Sequence, residues 1–481
     1  MKKVFFISLA LLLISSLSYS KIRLPEIVGD NMVLQQSTKV RIWGWSGPNS
    51  AICITTSWNN KKYSTVSKTD STWEITVSTT KADCMEKSLV ISEYTSFNKA
   101  KVSDQKKISG ILFGEVWFCS GQSNMQMPLK GFNNQPIENA NRYILEAGEY
   151  PYVRVATIKN VKALTPQKEV PGKWMISNSE NAPWFGGVAY IYAINLYKAL
   201  KVPVGIINCS WGGSRVEGWL PEWKLSEYPD VDVKDAERAD YKEYLRPMIM
   251  YNGMLKPLEK YTIKGFLWYQ GESNVSSYKT YAQRLNDMVS LWREEWGLGN
   301  IPFYFVEIAP YNYKEGVDFG AYLREQQAMA QKIIPNSVMV STGDILKPYE
   351  NNCIHPSNKT IVAERLTLVA LSDTYGFKGI CFRSPEFDKI ELKENESVLF
   401  FNNAEEGLTP FENIDGFEAA GVDKVFYPVK ARADMRNKSI CISSDKIDNI
   451  VAIRFCFHNL DTVKIHNTRG FPVIPFRTDN W

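Results

Sequence analysis

Between about residues 110 and 377 the chain alternates short apolar runs with longer stretches of helical period, a pattern that few folds satisfy. Residues 116–119, 204–209, 265–269, 303–308 and 337–341 read as buried strands. Residues 186–200, 281–296, 321–332 and 358–372 carry apolar side chains at helical spacing. Strands joined through helices run parallel, because each crossover returns the chain to the same end of the sheet. Strands that are apolar along their whole length need cover on both faces. The predicted core is therefore an α/β layer structure, a parallel sheet with helices on both sides, over residues 109–377.

The flanks have a different period. Residues 39–45, 51–56, 73–77 and 88–92 are short, rich in Val, Ile and Thr, and bounded by turn residues, which predicts an N-terminal β-sandwich over 21–108. Such patterning returns at 397–401, 439–442 and 450–457, predicting a β-rich C-terminal domain over 378–481. The first twenty residues read as a secretory signal: Lys2 and Lys3, an apolar run from Val4 to Ile14, then small polar residues to Ser20. The expected mature chain starts near Lys21 and is exported, to a periplasm or the medium, with a bacterial envelope the expected setting. No later segment has the uncharged length of a membrane span, so none is expected in the mature chain.

Fifty-six basic against fifty-two acidic residues leave a formal charge of +4, too small and dispersed to predict a nucleic-acid partner. Eight cysteines in an exported chain permit disulfides, with Cys53–Cys84 and Cys441–Cys456 as candidate local pairs. Three histidines and no CxxC or Cys/His cluster predict no structural zinc site.

In a doubly wound sheet, ligands sit beyond the carboxyl ends of the strands. Four such ends carry small or polar residues: Ser120-Gly121-Gln122-Ser123-Asn124-Met125, Ser210-Trp211-Gly212-Gly213-Ser214-Arg215, Gln270-Gly271-Glu272-Ser273-Asn274, and a longer loop with Asp344 and Ile354-His355-Pro356. Ester hydrolysis by acyl transfer needs a nucleophile, a base and donors for the oxyanion. Ser123 supplies a hydroxyl on a glycine-containing turn, and His355 is the one imidazole in the α/β region. His458 and His466 fall in the C-terminal region and are read as structural. The Ser123 and Gly213 backbone amides and the Asn274 side chain are candidate oxyanion donors.

The blocks GQSNM, NCSWGGS, WYQGESN and IHPSNK resemble those of the sialate O-acetylesterase family, a branch of the SGNH hydrolases. Leu24-Pro25 with residues 30–36 (DNMVLQQ) and the ending PFRTDNW extend the resemblance over nearly the whole mature chain. It implies an SGNH-type, flavodoxin-like sheet, Ser123 as nucleophile, His355 as general base, and an oxyanion hole of Ser123, Gly213 and Asn274. It also implies neither metal nor organic cofactor. The implied substrate is an O-acetylated sugar, a sialic acid acetylated on its glycerol chain (9-O-acetyl); some similar bacterial proteins act on acetylated plant polysaccharide.

One position departs from the family pattern. Where many members place an aspartate two residues before the histidine, this chain has Cys353. A thiol is a poor stabiliser of an imidazolium. Asp344 is a candidate third member; Glu272 or Glu217 would be a carboxylate from elsewhere; a Ser–His dyad oriented by a backbone carbonyl is the third alternative. A sugar-binding relative without catalysis is the non-enzymatic one. Arg215 is a candidate partner for a sialate carboxylate, or else pairs with an acid such as Glu217. Gln122, Gln270 and Glu272 are candidate substrate contacts, with loop-holding the expected job. Trp211, Trp219 and Trp268 are expected to pack beneath the loops, and Lys359 to brace the histidine loop.

Overall fold

A computed structural model describes residues 21–94, 101–313, 316–392 and 396–481. The signal-like residues 1–20 lie outside the described residues. The described residues divide into two compact units, one of 21–24, 42–76 and 88–94 with 101–108, the other of 25–41, 77–87 and the described part of 109–481.

The first unit is antiparallel. Ala51–Thr56 pairs with Lys62–Val66 on one side and Lys87–Tyr94 on the other. In Thr72–Ser78 Trp73, Ile75 and Val77 are buried while Glu74 and Thr76 are exposed, the alternation expected of a sheet with one wet face.

The second unit is built on a sheet in the order Ser337–Val340, Phe303–Val306, Gly265–Tyr269, Val102–Gly121, Val204–Ser210 and Val153–Thr157, all parallel. Short Trp174–Ile176 closes the edge antiparallel to Val153–Thr157. Leaving out that edge pair, the strand order is that of a flavodoxin-like sheet, which reverses direction on either side of Val102–Gly121. Side chains alternate between two covered faces. Trp117, Cys119, Leu267, Tyr269, Tyr304 and Val306 belong to the core under helices Gly187–Leu200 and Lys359–Val369. Phe118 and Phe266 point the other way, edge-on to Trp296 of helix Tyr281–Trp296. Helix Phe319–Ile333 lies beside that one.

The α/β pattern read from sequence is the observed one, with one omission. Strand Val153–Thr157 carries Arg154 in its middle, which spoils an apolar run, yet Arg154 is buried and bonds Glu86, Asn31 Oδ1 and the Gly110 carbonyl.

Beyond the α/β layers, two four-stranded antiparallel sheets form a β-rich region. One contains Glu386–Glu391, Ser397–Asn402, Ser439–Ser443 and Lys430–Asp434; the other Phe426–Pro428, Phe417–Ala420, Ala452–Phe455 and Phe476–Arg477. Phe387 stacks on Phe476 between them, with ring centroids 4.5 Å apart.

The expected disulfides are corrected: all eight cysteines are free. Cys441 lies in Ser439–Ser443 and Cys456 just past Ala452–Phe455, in different sheets, and the Cys456 thiol donates to the Thr462 carbonyl. Cys53 is buried in its strand, whereas Cys84 occupies a left-handed turn at φ 57°.

Candidate active site

The sheet order reverses between Gly265–Tyr269 and Val204–Ser210, on either side of Val102–Gly121, and the loops leaving these three strands meet there. Gly121 ends the central strand at φ 132°, where a Cβ would lie 2.2 Å from the Tyr269 carbonyl oxygen; only glycine lets the two strand ends come so close. The chain then turns into the single-turn helix Ser123–Gln126, presenting Ser123 at its first position.

Ser123 Oγ lies 2.7 Å from His355 Nε2. On the far side of the ring, Nδ1 lies 2.5 Å from Gln135 Oε1. An amide oxygen only accepts, so Nδ1 carries the proton and Nε2 offers its lone pair to the serine hydroxyl. Phe132 meets the imidazole edge-on at 5.4 Å. Burial, with Lys359 second, lowers the His355 pKa to about 4.

Gly213 sits at φ 79°. Among the described residues neither its backbone N–H nor that of Ser123 has an acceptor. The neighbouring Gly212 N–H is held by Gln126 Oε1 at 2.8 Å, fixing this loop to the nucleophile helix. Asn274, 1% exposed, is held from both ends: Oδ1 accepts from Gln270 Nε2 (2.7 Å) and the Val216 N–H (3.1 Å), and Nδ2 donates to Glu217 Oε2 (2.9 Å) and Ser277 Oγ (3.4 Å). That leaves no side-chain N–H for an oxyanion and corrects its reading as a third donor.

The structure brings Ser123 and His355 together and does not bring Asp344 to them. Asp344 takes a bidentate bond from Arg365, 2.7 Å to each oxygen, and another from His466 at 3.0 Å. Burial works to raise its pKa, but Arg365 and His466 prevail and hold the carboxyl at about 2. Glu217 is engaged by Asn274 and Arg284, and Glu272 by Asn124, so neither reaches the imidazole. The group at Nδ1 is a side-chain amide, where a backbone carbonyl was the third alternative. Cys353 turns its thiol to the His355 carbonyl at 3.1 Å.

Gln122 (2% exposed) and Gln270 (0%) are sealed inside the loops, which fits the loop-holding job expected of them and not the candidate substrate contact. Gln122 Oε1 accepts from the Gly271 and Ser273 amides, while Gln270 ties Ser214 to Asn274 and accepts from Tyr281. Glu272 is equally enclosed: burial raises its pKa against the bonds that favour its charged form. Asn124 bridges this interior, donating to Glu272 and to the Ile354 carbonyl and accepting from fully buried Lys359, whose pKa burial lowers to about 8. Trp219 and Trp268 pack edge-on beneath the loops. Arg215 differs: half-buried, it spends Nε on the Ser273 carbonyl and keeps both terminal nitrogens out of any ion pair among the described residues. Gln126, Asn124 and Gln135 are the residues the sequence reading left without roles; the first two stood inside the GQSNM block and its next position.

No group of three or more His, Cys, Asp or Glu among the described residues is arranged to hold a metal ion. Nor does any described helix have the length and apolarity to cross a membrane.

A family model described as carbohydrate esterase, sialic acid-specific acetylesterase, matches residues 113–367, more than half of the 481-residue chain. The sialate O-acetylesterase of Homo sapiens is 29% identical over 411 residues, 78% of this chain and 76% of that protein. That of Mus musculus is 27% identical over 452 residues, 81% of each. The crystal structure of a carbohydrate acetylesterase from Xanthomonas citri is 28% identical and superposes with a TM-score of 0.83, covering 96% of this chain and 100% of that one.

Proposed function

The chain belongs to the sialic acid-specific acetylesterase family of carbohydrate esterases, and on that basis we propose that it removes acetyl groups from sialic acids, the 9-O-acetyl ester first, through an acyl-enzyme on Ser123. The protein is a carboxylic-ester hydrolase. In the proposed route Ser123 Oγ attacks the acetyl carbonyl while His355 Nε2 takes its proton. The tetrahedral oxyanion is met by the Ser123 and Gly213 N–H groups. Collapse returns the proton from His355 to the departing sugar oxygen. Water, deprotonated by the same nitrogen, then attacks the acetyl-serine and frees acetate and Ser123.

The observation that carries this reading is the 2.7 Å contact between Ser123 Oγ and His355 Nε2, with the lone pair aimed at the hydroxyl. Arg215 supports a sialate, since its free guanidinium nitrogens suit a carboxylate. The likeness over the whole length of a protein described as a carbohydrate acetylesterase supports a second reading, an acetylated carbohydrate other than a sialic acid, for which acetylxylan serves as the probe.

Acetate release from 9-O-acetylated sialic acid and from acetylxylan, beside Ser123→Ala, tests both. Release that disappears in the variant supports the mechanism, and the faster substrate chooses between the readings. Unchanged release from Ser123→Ala removes Ser123 as nucleophile. The signal-like residues 1–20 support export; a mature N-terminus near Lys21 in protein recovered outside the cytoplasm is the expected result.

A further inference from the structure

We propose that Gln135 is the positioning residue of this site, a neutral amide standing where a triad carries its carboxylate, so that Ser123 is activated by a histidine without an anionic partner. The inference rests on the assignment of Ser123 and His355 above.

Gln135 is delivered by a strap that leaves the nucleophile helix and crosses to the histidine loop. Its start is pinned where the Leu129 N–H meets the Phe185 carbonyl. Its tip is a tight turn in which the main chains of Phe132 and Gln135 bond each other in both directions, with Asn134 left-handed at φ 60°. Its end is fixed where the Glu138 N–H donates to the Ser357 carbonyl, two residues past His355. One strap thus packs Phe132 against the imidazole, bonds Nδ1 through Gln135, and anchors the loop that holds the ring. A fortuitous surface contact would not be held at both ends.

No carboxylate oxygen among the described residues bonds the His355 ring. Acids and bases approach from four elements, each otherwise occupied. Lys359, behind the ring, is a cation that opposes its protonation. Glu272 is separated from the ring by Asn124. Glu350, in the histidine's own loop, accepts from the Ser357 and Lys347 amides. Glu138, on the strap, pairs with Lys347 at 3.3 Å. Cys353, two residues before His355, points its thiol at a main-chain carbonyl. Gln135 can fix the tautomer and the plane of the ring, but it brings only a dipole to the imidazolium formed during attack. A carboxylate there would do both and would favour the protonated base in the resting enzyme. The exchange trades imidazolium stabilisation for a base that stays unprotonated in acid.

With three histidines in the chain, ¹⁵N-histidine NMR reads the state of His355 without reference to turnover. In the full-length protein the His355 signal is expected as the Nδ1–H tautomer, titrating well below that of His458. Gln135→Glu, nearly isosteric, is expected to move that titration up by about 1–3 pH units and the acid limb of kcat/KM with it. Gln135→Ala is expected to lower kcat by on the order of 10²-fold with KM little changed, and to weaken the tautomer preference. If Gln135→Glu leaves both the titration and the acid limb in place, or Gln135→Ala keeps parental kcat, the proposal is overturned. Should Gln135→Ala fail to fold, Gln135→Glu decides alone. Loss of the proposed function would appear instead as unchanged release in Ser123→Ala, which the NMR titration does not share.

Discussion

Gly213 occupies a backbone conformation that side chains resist, and a Cβ there would lie 2.6 Å from the Tyr244 ring. Gly213→Ala is therefore expected to cost about 1–2 kcal/mol of stability through backbone strain alone. Turning the 213 amide away from the oxyanion should also lower kcat by about 10²–10³-fold. Steady-state kinetics beside thermal melting separate the two, and parental kcat in a strained variant would remove Gly213 from the oxyanion hole. At His355 the arithmetic concerns protons. Its pKa lies near 4 against the usual 6.5, so the free base persists through mildly acidic solution. The acid limb of kcat/KM is expected near pH 4, and a limb at pH 6 or above would contradict it.

The loops that end the strands are tied to one another more than to solvent, and their buried side chains do the tying. Lys359 and Glu272 meet Asn124 from opposite sides and join the histidine loop, the nucleophile helix and the segment Glu272–Thr280. Removing one member leaves a buried charge without its counterpart, so Lys359→Met is expected to destabilise by about 3–5 kcal/mol in urea titration. Asp344→Asn should likewise lower the melting temperature yet keep most of kcat, because its partners are Arg365 and His466. A collapse of kcat in a folded Asp344→Asn would return it to the catalytic candidates. These ties explain what could be read in advance. The candidates Ser123, Gly213 and His355 were legible because each follows an apolar strand or stands in a recognisable block. Gln135 was not: it lies on a loop with no periodic signal and meets a residue 220 positions away. Whether Gln270 faces substrate or interior also depends on neighbours from two helices, Tyr281 and Gln327, that no local pattern assigns.

Across the second unit, a few titrating groups set how stability depends on pH. Asp344 sits near 2 against an ordinary 3.8, so its contribution is full above 3.8 and lost as pH falls through about 2. His355, lowered to about 4, contributes fully above 6.5 and is lost as pH falls toward 4. His458 works in reverse. Glu418 is the chief cause, joined by Asp318 against the opposing effect of burial, and together they raise its pKa to about 9. Its stabilisation is full below 6.5 and lost as pH rises through 9, an effect reduced by the partial exposure of the ring. A melting temperature that declines below pH 6.5 and again between pH 6.5 and about 8 is the expected profile, because above 8 Lys359 sheds its proton in the fold and offsets further loss. His458→Gln should remove the alkaline decline alone. The eight free thiols carry a consequence of another kind. The native and the denatured chain are one and the same covalent molecule, so refolding calls for neither an oxidant nor a disulfide isomerase. Unfolding midpoints measured with and without dithiothreitol should coincide.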